Sequence, residues 1–229
     1  MRIFRLAASL LLACSLNFAH AAGLSDLTSG EASSGLKEAL VKGADYAVSS
    51  LGKENGFLGN AKVKIPLPES LKSVEKGMRA FGMGKQADEL VDTMNHAAEK
   101  AVVEAKPILM DAIKHMTVDD AKNILTGGED SVTQFFRKSS SDSLAQKFLP
   151  IVKSATQKVQ LADKYNKFAG KGAKLGLIDK KDADLDTYVT HKAMDGLFLM
   201  IAEKEKSIRQ NPLGAGSDIL KKVFGSLGG

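Results

Sequence analysis

Cysteine is nearly absent. Cys14 is the only one in 229 residues, which excludes an intramolecular disulfide framework and any site built from several thiolates. Tryptophan is missing altogether and tyrosine occurs three times, so aromatic residues make up only 6% of the chain. A β-sandwich leans on aromatic and β-branched side chains, and their scarcity beside abundant Ala, Leu and Lys favours helix packing. Long apolar runs are also missing: the longest, Leu6 to Leu16, falls short of the roughly 20 residues a spanning helix needs. Charge of one sign does not dominate, since 32 basic and 27 acidic residues leave +5, a weak case for nucleic acid, which is not expected as a partner. With 44% hydrophobic and 26% charged residues the chain matches globular averages, so wholesale disorder and collagen-like repeats are excluded.

What is present begins with a leader. Arg2 and Arg5 precede the apolar run, and Ala19, His20, Ala21 supply the small-x-small pattern that a signal peptidase cuts. Residues 1–21 are therefore expected to be a cleavable signal peptide addressing the periplasm, 22–34 a flexible N-terminal segment and 35–229 a single helical domain. The alternative is a lipobox at Leu11, Leu12, Ala13, Cys14, with Cys14 acylated to make a lipoprotein. Cleavage after Ala21 removes Arg2, Arg5 and Cys14, lowers the net charge to +3 and leaves no thiol, which suits an oxidising compartment. The remaining charge is uneven. Residues 146–181 hold nine lysines against Asp163 and Asp179, a field that would attract an anionic surface, although a solvated lysine face on a long helix explains it more simply.

From Gly35 onward apolar residues recur at three and four. Leu36, Ala39, Leu40, Ala44, Ala47, Val48 and Leu51 mark a first helix, and Leu71, Val74, Met78 and Phe81 a second. One seam then runs from Ala87 to Met116, interrupted by Pro107, which predicts a kink near Val103 to Lys106. Thr117 and Asp120 form a capping box for a short helix that stops at Gly127. Val132, Phe135 and Phe136 read as another short helix, Ser139 to Asp142 as a polar joint, and Leu144 to Phe168 as a second long helix bent by Pro150. Gly170 to Gly176 reads as a connector. A helix capped by Asp182 or Asp184 follows; its middle, Ala193 to Ala202, is apolar all round except Asp195 and belongs at the centre of a bundle. Ser217 is expected to cap a last amphipathic helix. Between the first two helices, Lys62 to Leu67 alternates polar and apolar before Pro66 and Pro68 end it, which reads as an extended arm or a short edge strand. The fold expected is all-α: a multi-helix bundle with two long kinked helices, a central apolar helix and that one arm.

Eight spaced strings carry a family resemblance: G-L-K-E-A-L (35–40), G-F-L-G-N-A-K-V-K-I-P-L-P (56–68), N-H-A-A-E (95–99), M-T-V-D-D-A-K-N-I-L-T-G (116–127), T-Q-F-F-R (133–137), Y-V-T (188–190), D-G-L-F (195–198) and E-K-E-K-S-I-R-Q-N-P (203–212). In that order they resemble the exported bacterial family called domain of unknown function 4197. The resemblance implies an all-helical envelope protein and supplies no activity. It marks the polar members of the strings, Asn95, Glu99, Asp119, Asp120, Arg137, Asp195, Glu203, Glu205 and Arg209, as the positions at which to look for function.

Read for chemistry, Asp92, His96 and Glu99 fall on one side of a helix, a spacing compatible with a metal, as do Asp111, His115 and Asp119. Such triads also arise by chance in Lys- and Glu-rich helices, and no metal or other cofactor is expected. Asp182, Asp184 and Asp186 begin like a calcium loop, but Thr187 replaces its glycine and Ala193 its glutamate, so helix-terminal acids explain them better. No Gly-x-Ser-x-Gly elbow, P-loop or His-Glu-x-x-His motif occurs, which argues against an enzyme. Asp195, among Leu197, Phe198 and Met200, is expected to be buried and paired with Arg79, Arg137 or Arg209.

Three readings follow. The favoured one is a non-catalytic binding or carrier module for an apolar or lipid-like amphipathic ligand, lined by Met94, Phe135, Phe136, Met194, Phe198 and Met200, residues that would equally fill an ordinary core. The second is a scaffold presenting residues 146–181 or the last helix to an anionic surface or a protein partner. The third is an enzyme, for which two or more of His96, Glu99, Asp119, Asp195 and Glu203 would have to converge.

Overall fold

The computed structural model describes residues 29–82, 84–174, 184–211, 214 and 217–225. The leader with Cys14, Asp182 and the end of the lysine-rich segment lie outside the described residues.

Helix α1 (Ser29–Leu51) buries its three-and-four stripe. It starts inside the segment expected to be flexible, because Ala32 already packs on the core and Glu31 pairs with Lys222 at 2.7 Å. Helix α2 (Glu69–Ala80) follows Pro68 and is closed by Gly82, whose φ of +74° needs a residue without Cβ. The expected kink at Pro107 is a full break: α3 (Gly84–Val103) and α4 (Ala105–Lys114) meet at Glu104. Proline has no N–H to offer the carbonyl four residues back, and the chain tightens there, Glu104 N–H reaching Ala101 O at 3.0 Å.

Helix α5 (Val118–Thr126) carries the expected capping box, with Asp120 N–H donating to Thr117 Oγ1 and Thr117 N–H to Asp120 Oδ2, both at 3.0 Å. Helix α6 (Ser131–Thr156) corrects the expected polar joint at 139–142. Ser139 and Ser140 turn their hydroxyls onto the carbonyls of Phe135 and Phe136, at 2.8 and 2.5 Å, so they stay inside a continuous helix. The break comes instead before α7 (Gln160–Lys174), which runs through Gly170 and Gly172 of the expected connector. Asp184 caps α8 (Leu185–Gln210), accepting from Thr187 N–H at 2.8 Å. In α9 (Asp218–Gly225) the residue before the helix, Ser217, donates its hydroxyl to Glu38 on α1 at 2.8 Å.

Helix α8 is central, packed by α6 and α1 along most of its length and by α3 beside them. It is not dry all round: His191, Lys192, Asp195 and Leu199 form a solvent-facing strip one side wide. Its bulk still faces inward, with Leu197, Phe198 and Ile201 fully buried.

No strand occurs among the described residues, which corrects the expected arm or edge strand. Residues 52–63 form successive turns and 64–68 have no ladder partner. A helix side chain replaces the missing ladder: Asn95 Oδ1 accepts from Ile65 N–H at 2.8 Å and Nδ2 donates to Ile65 O at 2.9 Å. No described helix is long and apolar enough to cross a membrane.

Candidate functional site

The polar motif residues resolve into clasps that hold irregular backbone against helices. On α3, Asn95 is fully buried and grips Ile65. One turn further, Glu99 is 5% exposed; its Oε1 accepts from the N–H groups of Phe57 and Leu58 at 3.0 and 3.2 Å, and Oε2 meets His96 Nδ1 at 2.7 Å. Burying a carboxylate is costly unless its lone pairs are filled, and here three donors fill them. Glu203 on α8 holds the same loop from the other side through Lys62 Nζ at 2.6 Å, which raises the Lys62 pKa by hydrogen bonding and charge. Tyr188 adds a bond to Pro66 O at 3.1 Å.

A second clasp closes the far end of α8. Glu205, 5% exposed, accepts from the N–H groups of Val132 and Thr133 at 3.2 and 3.3 Å. These are orphan donors of the first turn of α6, so a glutamate from another helix does the work of an N-cap and meets the positive end of the helix dipole. Arg209, one turn on, pairs with Glu205 at 3.0 Å and also donates to Ser131 Oγ at 2.7 Å and Ile124 O at 3.0 Å. Burial pushes the Glu205 pKa up, against the pull of the amides and Arg209.

Arg137 and Asp195 do meet, at 3.3 Å, as the sequence suggested for the pair. The expected burial is corrected: their side chains are 49% and 55% exposed, with the guanidinium laid over the Phe198 ring at 4.6 Å. The position of Asp195 on the wet strip of α8 explains the difference. Asp120 is the capping-box acid, its pKa lowered by the Thr117 hydroxyl and N–H, and Asp119 is exposed beside it.

Of Asp92, His96 and Glu99 the structure brings only His96 and Glu99 together. Glu99 spends its oxygens on two backbone amides and the imidazole, and Asp92 is exposed. Among the described residues no group of three His, Cys, Asp or Glu is placed to hold an ion. Of the residues an enzyme would need to bring together, only His96 and Glu99 touch; Asp195 and Glu203 are taken by Arg137 and Lys62.

Asp186, by sequence a helix-terminal acid, is a third clasp. It is 5% exposed and bonded to the Thr156 hydroxyl, tying the start of α8 to the end of α6. Burial pushes its pKa up, with the Thr156 hydrogen bond and Lys153 opposing and Asp184 and Asp163 adding. A raised folded pKa means that its contribution to stability is fully present below the ordinary carboxylate range and is lost as pH rises through the folded value. The stability difference between wild type and Asp186→Asn is therefore expected to move against wild type from about pH 4 to about pH 7. Urea titrations at stepped pH check it; parallel profiles would refute the assignment. The period-two acids at 182, 184 and 186 were the available signal, but the Thr156 partner lies 30 residues away.

The expected apolar lining is mostly solid core. Met94, Phe136 and Phe198 are fully buried, Met200 and Met194 are 4% and 8% exposed, and a void of about 10 Å³ beside Glu205 and Phe224 is too small for a ligand. Phe135 is the exception. It lines an open groove of about 690 Å³ between α4, α5 and α6, with Pro107, Ile108, Ala112, Asp111, His115, Asp120, Lys138, Ser139 and Ser143. A second hollow of about 380 Å³ shares Asp120, Phe135 and Lys138 and continues the groove past Asn123 and Ile124 to Asp130. Phe135 stays at its floor because it packs against the Phe136 ring, centroids 5.5 Å apart, without entering the core fully. Another cleft, of about 420 Å³, lies over His96 and Glu99 with Lys53, Glu54 and Lys100 at its rim.

Compared with known proteins, the chain matches a family model described as Protein of unknown function (DUF4197) over residues 26–225. No curated protein and no solved structure matches it.

Proposed function

The chain belongs to the DUF4197 family of proteins of unknown function, and from that premise we propose that it is an exported, non-catalytic binding module of the cell envelope, holding an amphipathic ligand in the groove between α4, α5 and α6. The observation that carries this reading is the groove itself: apolar floor residues Ile108, Ala112 and Phe135 are only partly covered, and polar groups surround them. Ligand sites combine an apolar surface of this volume class with a few placed polar groups. Among the described residues the Met and Phe side chains expected to line a ligand are mostly packed into the core, so we place the binding site at the surface. The motif carboxylates support a non-catalytic reading, because Glu99 and Glu205 are committed to backbone amides. Export rests on the leader pattern in residues 1–21.

Native mass spectrometry tests the reading on protein recovered from its own envelope without detergent. Wild type is expected to carry a stoichiometric non-covalent adduct that Ser139→Trp, an exposed position on the groove wall, loses. A bare polypeptide mass for both proteins overturns it.

A further inference from the structure

The groove has a length and a charge pattern that narrow its occupant. Its two hollows adjoin at Asp120, Phe135 and Lys138, which line both, and along α6 the combined lining runs from Asp130 to Ser143. At about 1.5 Å per residue that wall is about 20 Å long. A compact small molecule would leave most of it empty; a helical segment of about three turns would fill it.

The rim is acidic. Asp111, Asp120 and Asp130 line it against Lys138 and His115. Asp120 uses only Oδ2 in its capping box and Asp130 only Oδ2 on Gln134, so each keeps an oxygen for a ligand. Asp111 faces the exposed His115 at 3.3 Å. Helices α4 and α5 end at this groove, at His115 and Gly127, and the first turns of α5 and α6 reach it at Asp120 and Ser131, so helix dipoles of both signs meet there and the side-chain charges set its sign. An anionic lipid headgroup would meet the three carboxylates, whereas lysine and arginine side chains would be drawn to them.

We propose that the groove takes a basic amphipathic helix of a partner protein, whose apolar residues at i, i+3 and i+4 sit on Ile108, Ala112 and Phe135 while its Lys or Arg residues face Asp111, Asp120 and Asp130. This rests on the binding-module reading and names the partner class for that same site. Helix-in-groove recognition works this way: apolar anchors supply affinity and rim charges set partner and orientation.

The test is selection of random peptides of about 12 residues displayed against the full chain, the length that three turns require. Peptides that also bind Ser139→Trp are discarded. The survivors are expected to carry net positive charge with helical apolar spacing. Their affinity should fall on the order of tenfold in Asp111→Lys/Asp130→Lys, whose exposed positions leave the fold intact by circular dichroism, and should weaken as salt rises from about 50 to about 500 mM. Acidic or neutral survivors, indifference to the double variant, or no survivor at all overturns the proposal. A lipid adduct in native mass spectra beside any of these outcomes keeps the binding module and removes the peptide; a bare protein beside them removes both.

Discussion

Glu205→Ala costs about 3–5 kcal/mol of folding free energy, the range expected when one member of a buried, hydrogen-bonded ion pair is removed. The side chain does three things at once: it accepts from Val132 and Thr133 at the start of α6, neutralises Arg209, and through Arg209 reaches the Ile124 carbonyl at the end of α5. Alanine leaves two amides and a guanidinium that is 14% exposed without their acceptor. Glu205→Gln keeps an acceptor oxygen and removes the buried charge, so it should cost less, about 1–3 kcal/mol. Because burial holds the Glu205 pKa up, the charge opposes folding increasingly as pH rises through the folded value, and the glutamine variant should lose that part of the pH dependence. Urea titrations of both variants and of Arg209→Ala decide the matter. The double variant Glu205→Ala/Arg209→Ala should cost less than the sum of the singles. An alanine variant within about 0.5 kcal/mol of wild type, the usual effect of a surface change, would show that the clasp carries no stability.

Phe57→Ala should cost a similar amount, about 3–5 kcal/mol. The ring is fully buried although it sits in a run of turns. It packs on α8 at Gly196, where a Cβ would lie 2.6 Å from Phe57 Cε1. Gly196→Ala therefore overpacks a site that glycine leaves open, at about 1–3 kcal/mol. With the ring gone the severe overlap is gone, the remaining 3.3 Å approach to Val63 Cβ can relax into the space the ring leaves, and alanine then brings its helix preference of about 1 kcal/mol over glycine. In the Phe57→Ala background the same substitution should be neutral or stabilising. Thermal and urea unfolding of the four proteins measure this sign change, and equal costs in both backgrounds would place the ring elsewhere.

The helices were legible because each buries a stripe that the sequence writes at three and four, and the interruption near Pro107 is backbone chemistry that needs no tertiary knowledge. Ser139 to Asp142 misled because serine favours a cap only when a helix end is there; inside α6 the hydroxyls turn to the preceding turn instead. The arm at 62–67 misled because period two describes side chains, whereas a strand also needs a backbone partner, and Asn95 supplies one from 30 residues away. Asn95, Glu99, Glu205 and Arg209 were visible as motif positions and their role was not, since Glu99 finds Phe57 across 42 residues and Glu205 finds Val132 across 73. The groove brings Ile108, Asp120 and Phe135 together from three helices, and no spacing within one element could announce it.

Helices α1 and α9, the first and last described, pack against each other: Gly35 lies under Ile219 and Val223, so that a Cβ there would meet Val223 at 2.6 Å, and Glu31 and Glu38 are held by Lys222 and Ser217. The contact spans up to 191 residues, among the most distant in the chain, and such closures form late because loop entropy must be overcome first. A nascent chain that has not yet reached residue 218 leaves the start of α1 uncovered and the bundle open along that side. Docking of α9 is thus a closing step that seals one flank of a bundle whose centre, α8 against α6, α1 and α3, is made by residues that precede it in the chain.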